Sequence, residues 1–185
     1  MAGTLFVVAT PIGNLEDITA RALRVLREVA VIAAEDTRRT SNLLSRYGIT
    51  TRTTSLHEHN ERQKTALVMA RLEADQDVAL VSDAGTPTVS DPGRHLISTA
   101  VGRGIRVEAI PGPNAAVAAL SVSGLASDAF TFLGFPPIKA KDRSEWFGRL
   151  AKAAPTAVFY EAPHRVVATL NEVRLKIGDI PVVVA

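Results

Sequence analysis

Apolar positions along this chain follow two rhythms. Short segments of four or five residues, apolar except for the Thr-rich Arg52–Ser55 and the mixed Arg106–Ile110, read as strands near Leu5–Ala9, Val31–Ala34, Arg52–Ser55, Val78–Val81 and Arg106–Ile110. Between them, apolar residues recur every three or four positions and predict helices at Ile18–Val29, Ser41–Tyr47, Glu61–Glu73, Arg94–Arg103 and Ala115–Ser123. Strand and helix alternate, so the fold class is α/β, with mainly parallel sheets covered by helices on both faces. The pattern pauses at Gly124–Asp128 (GLASD). It restarts with strands Phe130–Leu133, Ala157–Tyr160 and Val182–Ala185 and helices Ser144–Lys152 and Val166–Ile177. We therefore expect an N-terminal α/β domain over 1–124 and, over 125–185, the start of a second α/β domain that reads as incomplete, because PVVVA breaks off inside a strand pattern.

Three strands open into loops poor in apolar residues and rich in Gly, Pro, Ser, Thr, Asn and Asp. These are Ser82–Gly93 (SDAGTPTVSDPG), Thr10–Leu15 (TPIGNL) and Pro111–Asn114 (PGPN). Each alone reads equally well as an ordinary turn. Together, at the carboxyl ends of strands in one sheet, they predict a ligand pocket, since open α/β sheets bind there. In that pocket Asp83 supplies an acceptor and Gly85 lets a ligand approach the backbone.

Composition narrows the chemistry. Of 185 residues, 46% are hydrophobic and 22% charged, which fits a folded protein rather than a disordered one. No apolar run reaches the roughly 20 residues of a membrane span. Cysteine is absent, excluding disulfides, thiolate catalysis and Cys-ligated zinc and fitting a reducing, cytoplasmic setting. The formal charge is only +2, so the placement of cations matters more than their sum. Arg38, Arg39, Lys139, Lys141 and Arg165 fall at positions read as loops and suit a polyanion, whereas Arg24 and Arg27 beside Glu28 read as a solvated helix face. G-x-G-x-x-G, Walker A and G-x-S-x-G patterns are missing. His57 and His59 lack H-E-x-x-H spacing, so no metal site is expected.

Taken in order, TPIGNLEDIT, AAEDTRRTSNLL, LHEHNE, VSDAGTPTVSDPG, IPGPNA, FLGFPP and FYEAPHR resemble the tetrapyrrole methylase superfamily. Within it, EDTRRT together with SDAGTPTVSDPG resembles the ribosomal RNA small subunit methyltransferase I branch. Its members methylate the ribose 2′-hydroxyl of a cytidine in small-subunit (16S) ribosomal RNA. The resemblance implies two α/β domains with an S-adenosyl-L-methionine cleft between them, a homodimer, and small-subunit ribosomal RNA or the assembled small ribosomal subunit as partner. It implies no membrane and no metal.

By position in those motifs, Pro11, Ile12, Asp83, Gly85, Thr86, Asn114, Ala115 and Leu133 are implied to hold the cofactor; for Ile12, Ala115 and Leu133 core packing is the competing reading. Arg38, Arg39, Lys139, Lys141, Arg143, His164 and Arg165 are implied RNA contacts, with Tyr160 and Phe135 available to stack on a base. Methyl transfer to a hydroxyl requires in-line positioning and loss of a proton. Glu35, Asp36 and Glu161 are the catalytic candidates, with His57 and Glu58 as further polar groups, and none is singled out. Asp36 pairing with an arginine is an equal alternative. Ala126 and Ala129 stand where the branch carries Pro and Arg, and its members extend well past Ala185. Two other readings stay open, a methyltransferase acting on a tetrapyrrole and a non-catalytic RNA-binding module.

Overall fold

The computed structural model describes residues 2–185, which divide into two units, one up to Asn114 and one over Ala115–Ala185. In the first, five parallel strands, β1 (Leu5–Val8), β2 (Val31–Ala34), β3 (Thr53–Ser55), β4 (Val78–Val81) and β5 (Val107–Ile110), form one sheet in the order β3-β2-β4-β1-β5. Central strands β2 and β4 are buried throughout, as runs of VIAA and VALV require, because parallel sheets are covered on both faces.

The side-chain period of two splits those strands cleanly. Ile32, Ala34, Ala79, Val81 and Val8 join one core with α1 (Ala20–Glu28) and α2 (Thr37–Arg46). Val31, Ala33, Val78, Leu80 and Leu5 join the other with α3 (Glu61–Glu73) and α4 (Arg94–Gly102). Each helix supplies a stripe at helical spacing: Ala22, Val25 and Leu26 on α1, and Thr65, Val68, Met69 and Leu72 on α3.

Chain direction explains the faces. From β1 through β2 to β3 the chain moves one way across the sheet; from β3 through β4 to β5 it moves back. Right-handed crossovers then place α1 and α2 on one face and α3 and α4 on the other. The reversal falls between neighbours β4 and β1, whose outgoing loops part toward opposite faces and open a crevice at their carboxyl ends.

In the second unit, α5 (Ala115–Val122) precedes β6 (Phe130–Phe132), α6 (Ala140–Leu150), β7 (Thr156–Val158) and α7 (Val166–Ile177). Strands β6 and β7 pair in parallel over a core of Trp146, Phe147, Leu150 and Val173. The division between units falls before α5, whereas the pause in the sequence pattern falls at 124–128.

Two expectations are corrected. Val182–Ala185 is no strand but exposed chain, paired with neither β6 nor β7. Arg38 and Arg39 lie not in a loop but in the first turn of α2, because Asp36 caps that helix through a hydrogen bond from Arg38 N–H at 2.8 Å; Lys141 likewise is helical, in α6. Among the described residues, no helix is long and apolar enough to cross a membrane.

Candidate functional site

Four loops meet at the carboxyl edge of β2, β4, β1 and β5. Thr10 and Gly85 exchange backbone hydrogen bonds (2.9 and 3.0 Å) across the crevice between β1 and β4. The Thr10 hydroxyl donates to Ser82 O at 3.2 Å, and the Thr86 hydroxyl donates to Pro113 O at 3.1 Å. Gly85 has φ +83°, and a Cβ there would lie 3.4 Å from Ile12 Cγ2 and 3.7 Å from Pro113 O. Its bare backbone is the seam where all three predicted binding loops come together.

Asp83 joins the fourth loop. Its Oδ1 accepts from Asp36 N–H at 3.0 Å, its Oδ2 lies 3.5 Å from the Arg39 guanidinium, and its own N–H donates to Glu35 Oε2 at 3.4 Å. Pro11, Leu15, Thr10, Ser82, Asp83 and the α2 face of Arg39, Thr40, Asn42 and Leu43 enclose a cleft of about 140 Å³. Leu15 and the α2 residues fall within TPIGNL and AAEDTRRTSNLL, but the sequence reading assigns Leu15, Thr40, Asn42 and Leu43 no role in the site.

The three acidic candidates differ. Burial pushes the Glu35 carboxyl up, reinforced by the charges of Asp83 and Asp91 and opposed by the Asp83 N–H. Hydrogen bonds from the Arg38 side chain and backbone hold Asp36 well below the usual carboxylate range, so Asp36 is cap and ion-pair partner at once. Glu161 lies in the second unit. Burial pushes its carboxyl up, but the Thr169 hydroxyl, the Ala162 N–H, Arg165 and Arg143 outweigh burial and leave it lowered.

Of the predicted cofactor set, Pro11, Ile12, Asp83, Gly85, Thr86 and Asn114 belong to the first unit. Pro11 is buried, whereas Ile12 leaves 37% of its surface to solvent. Ala115 opens α5 in the second unit. Leu133 packs against the Trp146 cluster, and its carbonyl accepts from Trp146 Nε1 at 3.0 Å. Arg38, Arg39, Lys139, Lys141 and His164 are exposed. Arg143 is bound to Glu172 through Nε and Nη2, and also to Pro137 O and Thr169, while Arg165 pairs with Glu161 at 2.6 Å. Phe135 is exposed and lies 5.4 Å from the Tyr160 ring.

Long-range ties escaped the sequence reading. Glu61, the first residue of α3, accepts at Oε1 from Gly93, His95 and Leu96 N–H (3.1, 2.8 and 3.3 Å), capping α4 from another helix. The loop it fastens holds Thr88 and Ser90 at φ +71° and +69°. Left-handed backbone is costly for such side chains, above all for β-branched Thr, and clusters at functional loops. Asp91, another member of this loop, has its carboxyl pushed up by burial, against a hydrogen bond from Ser82.

The sheet is a doubly wound parallel one with an acceptor-lined crevice at its reversal point, the place where α/β proteins of this class bind small molecules. The chain belongs to the tetrapyrrole (corrin/porphyrin) methylase family, whose model matches residues 4–185. It is similar to proteins named ribosomal RNA small subunit methyltransferase I. The one from Pseudomonas aeruginosa is 54% identical over 173 residues, covering 94% of this chain and 61% of that protein. The one from Escherichia coli O157:H7 is 49% identical over 177 residues, covering 96% and 62%. The chain thus spans about three fifths of the length of these curated relatives. Among solved structures, native uroporphyrin III C-methyl transferase of Thermus thermophilus matches with TM-score 0.66 at 21% identity, covering 97% of this chain and 79% of that one. A conserved hypothetical protein of Aeropyrum pernix K1 matches with TM-score 0.69 at 19% identity, covering 96% and 67%. These two likenesses show the fold alone.

Proposed function

We propose that the chain is the S-adenosyl-L-methionine-binding part of a cytoplasmic, homodimeric enzyme that methylates the ribose 2′-hydroxyl of a cytidine in small-subunit ribosomal RNA. The observation that carries this reading is identity near 50%, over more than nine tenths of this chain, to relatives named for that ribosomal RNA. The tetrapyrrole reading has weaker support, the family's description alone.

The residues present fit such a cofactor. S-adenosyl-L-methionine, when bound, supplies a methyl group on a positively charged sulfur. Asp83, the Ser82 and Pro113 carbonyls and the bare Gly85 backbone form an acceptor-rich wall suited to cationic groups, and Pro11, Ile12 and Leu15 form an apolar one. Asn114, Ala115 and Leu133 complete the proposed set. Thr10 and Thr86 hold the loops in register, so the positions of the groups are set before a ligand arrives. Glu35 is the proton acceptor of choice, because its raised carboxyl is closer to neutral pH than that of Asp36 or Glu161.

Arg38, Arg39, Lys139, Lys141 and His164 are the exposed cations for RNA phosphate. Arg143 and Arg165, already bound to Glu172 and Glu161, serve mainly to brace the second unit. The test is calorimetric titration with S-adenosyl-L-methionine, then radiolabelled methyl transfer to small ribosomal subunits lacking the modification. Asp83→Ala should abolish measurable cofactor binding. Arg38→Ala, at a residue outside the cleft lining, should retain cofactor binding and lose most of the labelling. Equal loss of binding in both variants overturns this division of labour, and tight porphyrinogen binding without RNA labelling favours the tetrapyrrole substrate.

A further inference from the structure

We infer that the rim formed by the first turns of α3 and α4, carrying Arg62, Arg94 and His95, is a docking surface for RNA phosphates, an inference that rests on the ribosomal RNA reading above. The three hydrogen bonds to Glu61 Oε1 bring these two helix starts together. They also occupy the α4 N–H groups that an anion would otherwise use, so what the rim offers is its side chains.

Arg62, Arg94 and His95 are exposed, and none enters an ion pair among the described residues. Arg24, Arg103 and Arg106, by contrast, each face a carboxylate. Placement makes this significant. The amino end of a helix is electropositive and favours anions, yet α4 begins Arg94-His95 with no acidic residue in its first turn. The acid of the α3 first turn, Glu61, is spent on α4. Arg46 and Arg71 sit in last turns, where the dipole rewards a cation. Cations that folding does not reward mark a place where a partner does.

Arg38 and Arg39 start α2 at the same carboxyl edge of the sheet, and the neighbouring His57 and His59 rings meet edge-on at 6.0 Å. Glu58 and Glu61 are the acidic residues between His57 and Lys64. The rim residues Arg62, Arg94 and His95 include no aromatic anchor of the kind that dominates protein interfaces, so a polyanion fits better than a protein partner.

The experiment is fluorescence anisotropy of a labelled mixed-sequence RNA oligonucleotide with the full chain over a range of KCl concentrations. It compares wild type, Arg62→Ala/Arg94→Ala and, as a control of equal charge, Arg46→Ala/Arg71→Ala. Losing two phosphate contacts should weaken binding roughly tenfold at low salt and flatten the slope of log K against log salt by about 1.4. The control should keep the wild-type slope. Thermal midpoints separate binding from folding: the rim variant should melt no lower than wild type, while the control melts lower. Should alanine impair folding, Arg62→Gln/Arg94→Gln replaces it. An unchanged slope in the rim variant, or an equal loss in the control, overturns the proposal. Equal sensitivity with polyglutamate as competitor reassigns the rim to acidic protein. Failure of wild type to bind RNA at all overturns the ribosomal RNA reading itself.

Discussion

Two glycines of the β4–α4 loop occupy left-handed backbone for different reasons, and alanine separates them. At Gly93, φ +117°, a Cβ would stand 2.6 Å from Leu80 Cδ2, and Leu80 is a core residue 1% exposed. Strained backbone and an overpacked core add, so Gly93→Ala should cost about 2–4 kcal/mol. At Gly85 the nearest side-chain atom would be at 3.4 Å, leaving only backbone strain, so Gly85→Ala should cost about 1 kcal/mol while impairing cofactor binding through the crevice. Urea denaturation ranks the two, and a Gly85 variant as unstable as the Gly93 one would contradict the contact argument.

Glu35 makes a pH prediction at the same scale. Its carboxyl is raised from 4.5, so the native state holds the proton more tightly than the unfolded chain. Stability from this group is therefore greatest below the unfolded value and falls as pH rises from there to the native value, staying level above it. Glu35→Gln should make the protein more stable than wild type at neutral pH, with the difference vanishing below about pH 4. Asp36 has the opposite sign, stabilising above its unfolded value and losing that contribution in acid. If Glu35 is also the proton acceptor, the same glutamine variant gains stability and loses methyl transfer, a pairing that a purely structural residue does not give.

At the scale of elements, Glu61 binds one helix to another. Glu61→Ala strips the acceptor from three N–H groups at the start of α4 and should cost about 1–2 kcal/mol. Amide exchange at Gly93, His95 and Leu96 should accelerate ahead of exchange in the α4 interior; uniform acceleration along α4 would mean the tie holds the whole helix rather than its first turn. This link also shows what the sequence could yield. Strands β2 and β4 and helices α3 and α7 were legible to the residue, because burial on both faces or a long helical stripe leaves one reading. Helix α2 begins four residues before the expected Ser41, since Thr37-Arg38-Arg39-Thr40 shows little apolar pattern and Asp36 carries the start signal alone. The meeting of three loops could be anticipated from parallel strands ending together. The Glu61 cap and the Asp83 tie could not, because they join residues 32 to 35 and 47 positions apart.

For the whole molecule, the two units have unequal means of support. The first has five strands with helices on both faces and two apolar cores. The second has a two-stranded sheet and a core cluster of four buried residues, and two strands hold only with helix packing behind them. Arg143 supplies part of that packing by joining α6 to Glu172 and Thr169 of α7. The second unit should therefore unfold at lower urea than the first. Trp146 is the chain's only tryptophan and lies fully buried in the second core, so its fluorescence reports that unit alone, whereas far-ultraviolet circular dichroism reports both. The fluorescence midpoint should precede the main dichroism transition, and Arg143→Ala should move the former to still lower urea while leaving the latter in place. Coincident transitions that shift together would mean that the two units unfold as one cooperative body.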